Sequence, residues 1–298
     1  GTRSSNGVIL ITTRRGKAGV TDVVFNTQYG IQKISNKLDL LNAEQYADIC
    51  DEALANAGLP KVWNNSVSGA GTDWQDVVFQ NATFQKYDLT VSKGNENTQF
   101  LLGAGYLGQE GTVRFSGLDR YNIRFNIDSK VNDRLNVGAN LNLARTDEDM
   151  IDVEINGVVR SALFQPPTVD VYNPDGSYAG PGANEGDAQN PLGMADRSDK
   201  SSQNNLAFGN IFGEYSIIPN LKFRSSLGVN IYSTLTRDFD PIFSEGNANR
   251  TINSLLQTSV NYSDIIWENT LNYKPQIGES VKLDILAGNT VESSKNQV

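Results

Sequence analysis

Alternation of apolar and polar side chains with a period of two dominates this chain. Between residues 121 and 128, every odd-numbered residue is apolar and every even-numbered residue is polar or charged. Because a β-strand sends successive side chains to opposite faces, this pattern predicts a strand with one apolar and one polar face. Similar patterns, some less regular, predict about nine strands, which lie near 23–31, 87–91, 100–106, 121–128, 135–143, 206–218, 221–231, 265–273 and 281–287.

Strand length and connector length favour a membrane barrel over a soluble sandwich. The candidate strands run about 8–13 residues, near the roughly 9–11 of a tilted transmembrane strand and above the roughly 5–6 of soluble sheets. Long connectors near 36–85, 147–205 and 237–263 alternate with shorter ones. An up-and-down barrel carries short turns on one rim and long extracellular loops on the other. The chain is therefore predicted to be all-β, with antiparallel strands that pair in sequence order.

Two segments depart from the strand pattern. Residues 41–58 are predicted to form a helix, because Asn42 and Gln45 have the spacing of a capping box and Gly58 can end it. This helix lies in the first long connector and is expected outside the membrane. Residues 8–13 are almost all apolar or β-branched, which predicts a strand buried on both faces of a small globular unit. The first residues show neither Met nor a signal peptide, so a fragment of a longer protein is expected.

Composition narrows the functional classes. Hydrophobic residues make up 38% of the chain, and the formal net charge is −9. This acidic balance argues against nucleic-acid binding, which needs a basic face. The chain has no histidine, which removes the commonest general base and metal ligand. Its single cysteine, Cys50, allows no intrachain disulfide. No catalytic residue, cofactor or metal is expected.

Two segments are candidate functional sites: an acidic cluster that could hydrolyse a glycosidic bond and a turn that could bind calcium. Carboxylates cluster in the second long connector, at Asp147, Glu148, Asp149, Asp152 and Glu154. Two acids that flank a glycosidic bond could hydrolyse it, but acid runs on exposed loops are more often only solvated. Residues 173–176, Asn-Pro-Asp-Gly, suggest a calcium loop, although a turn with proline at its second position explains them better.

Aromatic residues fall into two groups. Four lie in the predicted external loops, and these are Trp63, Trp74, Tyr172 and Tyr178. Aromatic rings stack on sugars and anchor protein interfaces, so these four are candidate ligand or partner contacts; the alternative is that they pack the loops themselves. Six others lie on predicted strands and are expected to form interfacial girdles, namely Tyr29, Tyr87, Tyr106, Tyr121, Trp267 and Tyr273.

Several segments, in their order along the chain, resemble the SusC/RagA family of TonB-dependent outer-membrane transporters. Residues 5–17 look like the end of that family's plug domain, although Ser4 stands where the family more often has glycine. Segments similar to the family's first extracellular excursion and barrel strands follow at 41–46, 72–76, 87–94, 105–111, 120–124, 268–273 and 286–288.

The resemblance implies a division of the chain and a function for the whole protein. Residues 1–19 would end the plug and link it to the barrel, and residues 20–298 would form about nine of the roughly 22 barrel strands. The whole protein would sit in the bacterial outer membrane, among membrane lipid and lipopolysaccharide. It would import a large nutrient, an oligosaccharide or an oligopeptide, with energy supplied through TonB. A SusD-like surface lipoprotein would close over it as a lid.

Other functional classes stay open on the sequence alone. A secreted β-sandwich could hold glycans on external loops, and an extracellular glycoside hydrolase could use a carboxylate pair. An open porin without a plug is a third alternative. The parity of the connectors and the lengths of the strands oppose the sandwich, and residues 8–13 argue against the open porin.

Overall fold

The computed structural model describes residues 19–153, 157–182, 185–277 and 281–297. Three predictions lie outside the described residues: the strand at 8–13, Glu154, and the plug-end segment 1–19 apart from Gly19. The boundary proposed between plug and barrel therefore stays a prediction.

One antiparallel sheet of nine strands forms the body of the described chain. Each strand pairs with its neighbours in sequence order, as predicted. The segment predicted at 135–143, for example, lies between the strands that precede and follow it. The strands are β1 (Gly19–Gln32), β2 (Ala82–Gly94), β3 (Thr98–Glu110), β4 (Gly117–Lys130), β5 (Leu135–Met150), β6 (Asp199–Ile218), β7 (Leu221–Asp240), β10 (Ser254–Tyr273) and β13 (Ile285–Gln297).

Smaller elements lie in the connectors. The described residues include the helices α1 (Ala43–Asn56), α2 (Trp74–Val78), α3 (Val158–Phe164) and α4 (Pro191–Asp196). Two small hairpins pair β8 (Phe243–Glu245) with β9 (Ala248–Arg250), and β11 (Gln276–Ile277) with β12 (Val281–Lys282). Within the described ranges, no helix has both the length and the apolar character needed to cross a membrane.

The predicted connector lengths were partly wrong, because several strands run further than the alternation indicated. Strands β6, β7 and β10 each have 20 residues. In β6, backbone pairing continues through 199–205, where every residue is polar and the period-two signal fades. The second and third long connectors shrink to 151–198 and 241–253. The last strand begins at Ile285 rather than near 281, because Val281 and Lys282 pair with 276–277 instead.

Long and short connectors nevertheless alternate around the sheet. The connectors at 95–97, 131–134 and 219–220 are short, whereas those at 33–81, 151–198 and 241–253 are long. In an antiparallel sheet, alternate connectors emerge at the same rim. The long connectors and the medium one at 111–116 therefore share one rim. The connector at 274–284 is longer than predicted because it contains the hairpin of β11 and β12.

The pairing of the strands places apolar side chains on one face of the sheet and polar side chains on the other. Tyr121 and Ile123 in β4 lie opposite Tyr106 and Ala104 in β3, on the apolar face. Asn126 of the same strand lies on the polar face and pairs with Asn140 of β5, whose side chain donates to that of Asn210 at 3.0 Å. Ile123 is 50% exposed and Asn126 is 2% exposed. This reverses the arrangement of a water-soluble protein and fits a sheet whose apolar face meets lipid, although contact with lipid stays a prediction.

Aromatic rings form a row across the apolar face of neighbouring strands. Tyr87, Tyr106 and Tyr121 lie on successive strands, with ring centroids 6.2 Å and 5.2 Å apart. Tyr273 pairs with Leu221 beside the short turn at the rim opposite the long connectors. The role of these rings in an interfacial girdle stays a prediction.

The connectors of the long rim pack together into one unit, which we call the insert layer (described residues of 33–81, 111–116, 151–198 and 241–253). Helix α1 has the predicted capping box, in which Asn42 and Gln45 bond each other's backbone N–H groups. Helices α2, α3 and α4 were not predicted. The layer has a small core of its own, built from Trp74, Val78, Val158, Ala162, Val169, Ala179 and Ala195.

Candidate functional site

Trp74 joins the first and second long connectors. Asp73 caps α2 by accepting hydrogen bonds from the backbone N–H groups of Gln75 and Asp76, at 2.9 Å and 3.1 Å. This cap directs the Trp74 side chain into the core, where it is 3% exposed. Its indole Nε1 donates to the carbonyl of Pro166 at 2.9 Å. Trp74 therefore packs the insert layer, and its predicted role as a ligand or partner contact stays a prediction.

A buried polar cluster joins the second and third long connectors. Asn190 caps α4, and its side chain also donates to the carbonyls of Val171 and Ala179 at 2.9 Å and 2.8 Å. Glu245, 3% exposed, accepts from the Asn190 backbone at 3.0 Å and forms an ion pair with Arg197. Because each buried polar group here has a partner, the cluster can fix the relative positions of the two connectors.

Trp63 is held by a turn that wraps around a carboxylate. Asp51 accepts hydrogen bonds from the backbone N–H groups of Val62, Trp63 and Asn64, at 2.8, 3.1 and 2.8 Å. Burial raises the pKa of the Asp51 carboxyl, but these three N–H groups outweigh burial and lower the pKa below its usual range. The half-buried Trp63 ring meets Tyr46 edge-on at 6.1 Å.

Tyr172 and Tyr178 form a stacked pair, with ring centroids 5.4 Å apart. They flank the turn at 173–176, in which Gly176 N–H donates to the Asn173 carbonyl at 2.9 Å, so the turn interpretation holds. The Tyr178 hydroxyl donates to Asp196 at 2.9 Å, and burial together with this bond raises its pKa. Tyr172 is 51% exposed and presents an accessible ring face at the outer surface of the insert layer.

Three carboxylates of the predicted acidic cluster lie on a single strand. Asp147, Glu148 and Asp149 lie in β5 rather than in a loop, so Asp147 and Glu148 point to opposite faces of the sheet. Asp147 is paired with Arg145 at 2.9 Å and accepts from Gln203 at 3.0 Å. Among the described residues, no group of three or more potential ligands could hold a metal ion. Asp147 and Asp149 share a face of β5, but the carboxylate of Asp147 is already engaged by Arg145 and Gln203.

Two cavities open in the insert layer. A cavity of about 280 Å³ lies where β6 and β7 meet α4, and its charged side chains form ion pairs such as Lys200 with Asp238 at 3.1 Å. A larger cavity, of about 380 Å³, lies between the first and second long connectors. We call it the connector cavity, and its walls come from residues 38–42, 46, 70–75, 162–165 and 167.

Some of these features have a recognisable signal in the sequence. Asn190 followed by Pro191 is a typical helix start, with a cap residue and then proline at the first helical position. Gln165, in the wall of the connector cavity, left no such signal. Its position depends on contacts between segments far apart in the chain.

Several known proteins are similar to this chain in sequence. No protein-family model matches the chain. The chain is 27% identical to TonB-dependent receptor P3 of Formosa agariphila over 305 residues, which cover 100% of this chain and 29% of that receptor. It is 27% identical to TonB-dependent receptor SusC of Bacteroides thetaiotaomicron over 260 residues, 76% of this chain and 24% of SusC. The chain thus spans less than a third of the curated relatives it matches.

Solved structures share the fold. The RagAB peptide importer in its open-open state superposes with a TM-score of 0.75 at 23% identity, covering 99% of this chain and 38% of that one. The closed-closed state of the same importer gives a TM-score of 0.73 at 23% identity, covering 98% and 37%. The sequence relatives and the shared fold agree with the nine-stranded sheet and its long-connector rim. The chain is therefore similar in sequence to TonB-dependent receptors that include SusC, and its nine-stranded sheet shares the fold of part of the RagAB importer.

Proposed function

We propose that the whole protein imports a nutrient too large for a porin, an oligosaccharide or an oligopeptide, across the outer membrane. Energy is supplied through TonB, and a SusD-like lipoprotein closes over the insert layer as a lid. In this proposal the described residues bind and position the substrate and the lid, and they perform no covalent chemistry.

The observation that carries this proposal is the ordered insert layer on one rim of the sheet. Hairpin connections usually need only about 2–5 residues, so connectors such as 33–81 and 151–198 exceed what the topology demands. They also have a core and a buried ion pair, between Arg197 and Glu245. Long ordered loops on a rigid scaffold commonly carry binding functions.

Tyr172 is the predicted aromatic residue best suited to contact the lid or the substrate. It is exposed, it is stacked on Tyr178, and the turn at 173–176 holds both rings. A rigid aromatic face offers contact area at low entropic cost, which favours interface use. Trp63 is half-buried against Tyr46 and offers only part of its ring.

The test uses the full-length gene in its native bacterium. A deletion strain is complemented with the wild type or with Tyr172→Ala, and uptake of oligosaccharide and oligopeptide mixtures is measured with and without a protonophore. Uptake of one class that the protonophore abolishes supports the proposal. Undiminished uptake in the deletion strain, or uptake that is insensitive to the protonophore, contradicts it.

Co-purification tests the lid. Tyr172→Ala should reduce recovery of a surface lipoprotein with the transporter, or reduce uptake, whereas Tyr215→Ala on the apolar face of the sheet is the matched control. Both side chains are exposed tyrosines, at 51% and 42%. Equal recovery and equal uptake for the two variants would remove Tyr172 as a contact.

A further inference from the structure

The apolar face of the sheet carries a furrow that runs along β6. Its floor is formed by Ala207 and Gly209, which have a small side chain or none. Larger apolar side chains flank this floor on both neighbouring strands, namely Leu141 and Leu143 in β5 and Val229 and Ile231 in β7. Ile211, the next residue of β6 on this face, is 58% exposed and ends the furrow. Because paired strands lie about 4.8 Å apart, the furrow is about 10 Å wide.

The floor of the furrow is set by the close approach of two strands. A Cβ atom at Gly209 would lie 2.1 Å from the carbonyl oxygen of Asn140, so no larger residue fits there without a shift of the backbone. At Ala207 the furrow widens into a cavity of about 360 Å³. Leu143 and Ile231 give this cavity apolar walls. The furrow therefore follows from the backbone of the sheet and not from the rotamers of a few side chains.

The end of the cavity nearer the long connectors is polar. Four side chains lie there side by side on strands β4 to β7, namely Tyr121, Arg145, Asn205 and Ser233. This row continues the line of Tyr87 and Tyr106. Aromatic rings with a polar group favour the boundary between hydrocarbon and water. The cavity thus passes from a polar mouth to an apolar interior along β6, which is the order of groups along a membrane lipid.

The charges at the mouth of the cavity are of both signs. Arg145 bonds Asp147 through Nε at 2.9 Å and Nη2 at 3.0 Å, and its Nη1 takes no part in these bonds. Asp147 lies directly opposite Asp119 of β4, although like charges in such positions repel. Tyr106 donates to Asp119 at 2.5 Å but supplies no charge. A group with a phosphate and an ammonium would complement this set, since the phosphate suits the guanidinium and the ammonium suits the two carboxylates.

We propose that the furrow holds one acyl chain of a phosphatidylethanolamine molecule, whose phosphate contacts Arg145 and whose ammonium contacts Asp119 and Asp147. The lipid is a resident of the outer wall of the barrel and not a cargo, so the inference goes beyond import and rests only on the outer-membrane placement of the sheet. Each methylene group buried over Ala207 and Gly209 adds to its retention. A lipid whose only charge is a phosphate would add a negative charge beside two carboxylates.

Native mass spectrometry of the full-length transporter, purified in detergent and titrated with lipid, measures the retained molecules. The probes share the same two oleoyl chains and are phosphatidylethanolamine, its N-acetylated analogue, phosphatidylglycerol and diacylglycerol. The wild type should retain one phosphatidylethanolamine per protomer, with the highest affinity of the four. Acetylation removes the ammonium charge and should weaken binding about tenfold, as expected for one lost charge-assisted hydrogen bond.

Ala207→Phe fills the furrow and tests the acyl-chain site. The variant should bind phosphatidylethanolamine about tenfold more weakly or worse, because the ring occupies the space of the chain. Leu227→Phe is the matched control, since Leu227 lies on the same face of the sheet, opposite Ile211 and outside the cavity. It should bind lipid as the wild type does. A heat-resistant band on gels checks that both variants assemble.

Arg145→Gln tests the headgroup contact without altering the furrow. The variant should bind phosphatidylethanolamine about tenfold more weakly and diacylglycerol unchanged, because the neutral lipid has no phosphate for the guanidinium to contact. Arg237→Gln is the matched control, since Arg237 also pairs with an aspartate, Asp199, on the same face but lies outside the cavity. It should bind both lipids as the wild type does.

Four results would overturn the inference. Equal retention of phosphatidylethanolamine by Ala207→Phe and Leu227→Phe would show that the chain does not lie in the furrow. Tighter binding of phosphatidylglycerol, or displacement of phosphatidylethanolamine by lipopolysaccharide, would show that the headgroup is wrong. A wild-type dimer that Ala207→Phe separates, with lipid retention unchanged, would mean that a second copy of the chain covers the furrow. None of these results concerns energised uptake, so the import function would stand.

Discussion

The sheet and the insert layer follow opposite rules for burying side chains. In the sheet, Ile123 is half exposed and Asn126 is buried; in the insert layer, Trp74 and Val158 are buried at 3% and 0%. The sheet therefore suits apolar surroundings on one of its faces. The insert layer, which buries its apolar side chains, suits water. The two regions are thus stabilised in different surroundings. A substitution in one region should lower the stability of that region and leave the other intact.

Truncating Trp74 should produce the largest effect, confined to the insert layer. Trp74→Ala removes a buried ring and its bond to Pro166, which should cost about 3–5 kcal/mol of local stability. Hydrogen exchange in α2 and α3 should rise sharply while the barrel keeps its heat-resistant band on gels. Trp267→Ala is the matched control, because Trp267 is 50% exposed on the sheet. Loss of the folded barrel in Trp74→Ala would show that the two regions are not separable.

Breaking the buried ion pair should loosen the contact between the second and third connectors. Glu245→Ala leaves Arg197 partly buried without its partner, at a cost of about 3–5 kcal/mol. Proteolysis should then cut within 241–253. Asp240→Ala, which breaks an exposed pair with Arg250, should change little. Similar proteolysis of both variants would mean that Glu245 does not fix the connectors.

The sheet should tolerate charge on one face only. Ile123→Arg should cost about 2–4 kcal/mol if the position lies near the membrane midplane, because the guanidinium would face hydrocarbon. Asn122→Arg, one residue away on the opposite face, is the control and should assemble almost normally. Denaturant unfolding of the full-length protein in lipid vesicles gives both values. Equal losses would indicate that the faces are not sorted.

Helix α1 should show the smallest effect. Asn42→Ala removes one half of the capping box and should lower local stability by about 1 kcal/mol. Exchange of the amides in the first turn of α1 should increase. Asn56→Ala at the other end of the helix is the control. Equal amide exchange in the two variants would mean that packing alone, and not the capping box, determines where the helix begins.

The sequence predicted the sheet better than the insert layer for a physical reason. A strand with lipid on one face and water on the other must alternate apolar and polar residues. Segments such as 121–128 can therefore be recognised as strands from the sequence alone. The strand end at Met150 was missed because polar and charged residues occupy both faces between 145 and 149. Helix α2 has only five residues, too few to display a helical period, and its existence depends on the Asp73 cap and on packing of Trp74.

The candidate site was only partly accessible to sequence reasoning. Four loop aromatics could be identified by residue type, but only the structure separates the exposed Tyr172 from the buried Trp74. Gln75 and Gln165 are equivalent in sequence terms. Their difference arises because the Leu38 backbone reaches one and no described group reaches the other.

The most direct test of the account is accessibility along β4 in the full-length transporter. Nitroxide labels placed singly at residues 121–128 would be quenched by oxygen, which concentrates in lipid, and by a water-soluble nickel chelate. The account predicts an oscillation with a period of two, in which positions such as Ile123 respond to oxygen and positions such as Asn122 respond to nickel. Uniform quenching along the strand, or the opposite phase, would contradict it.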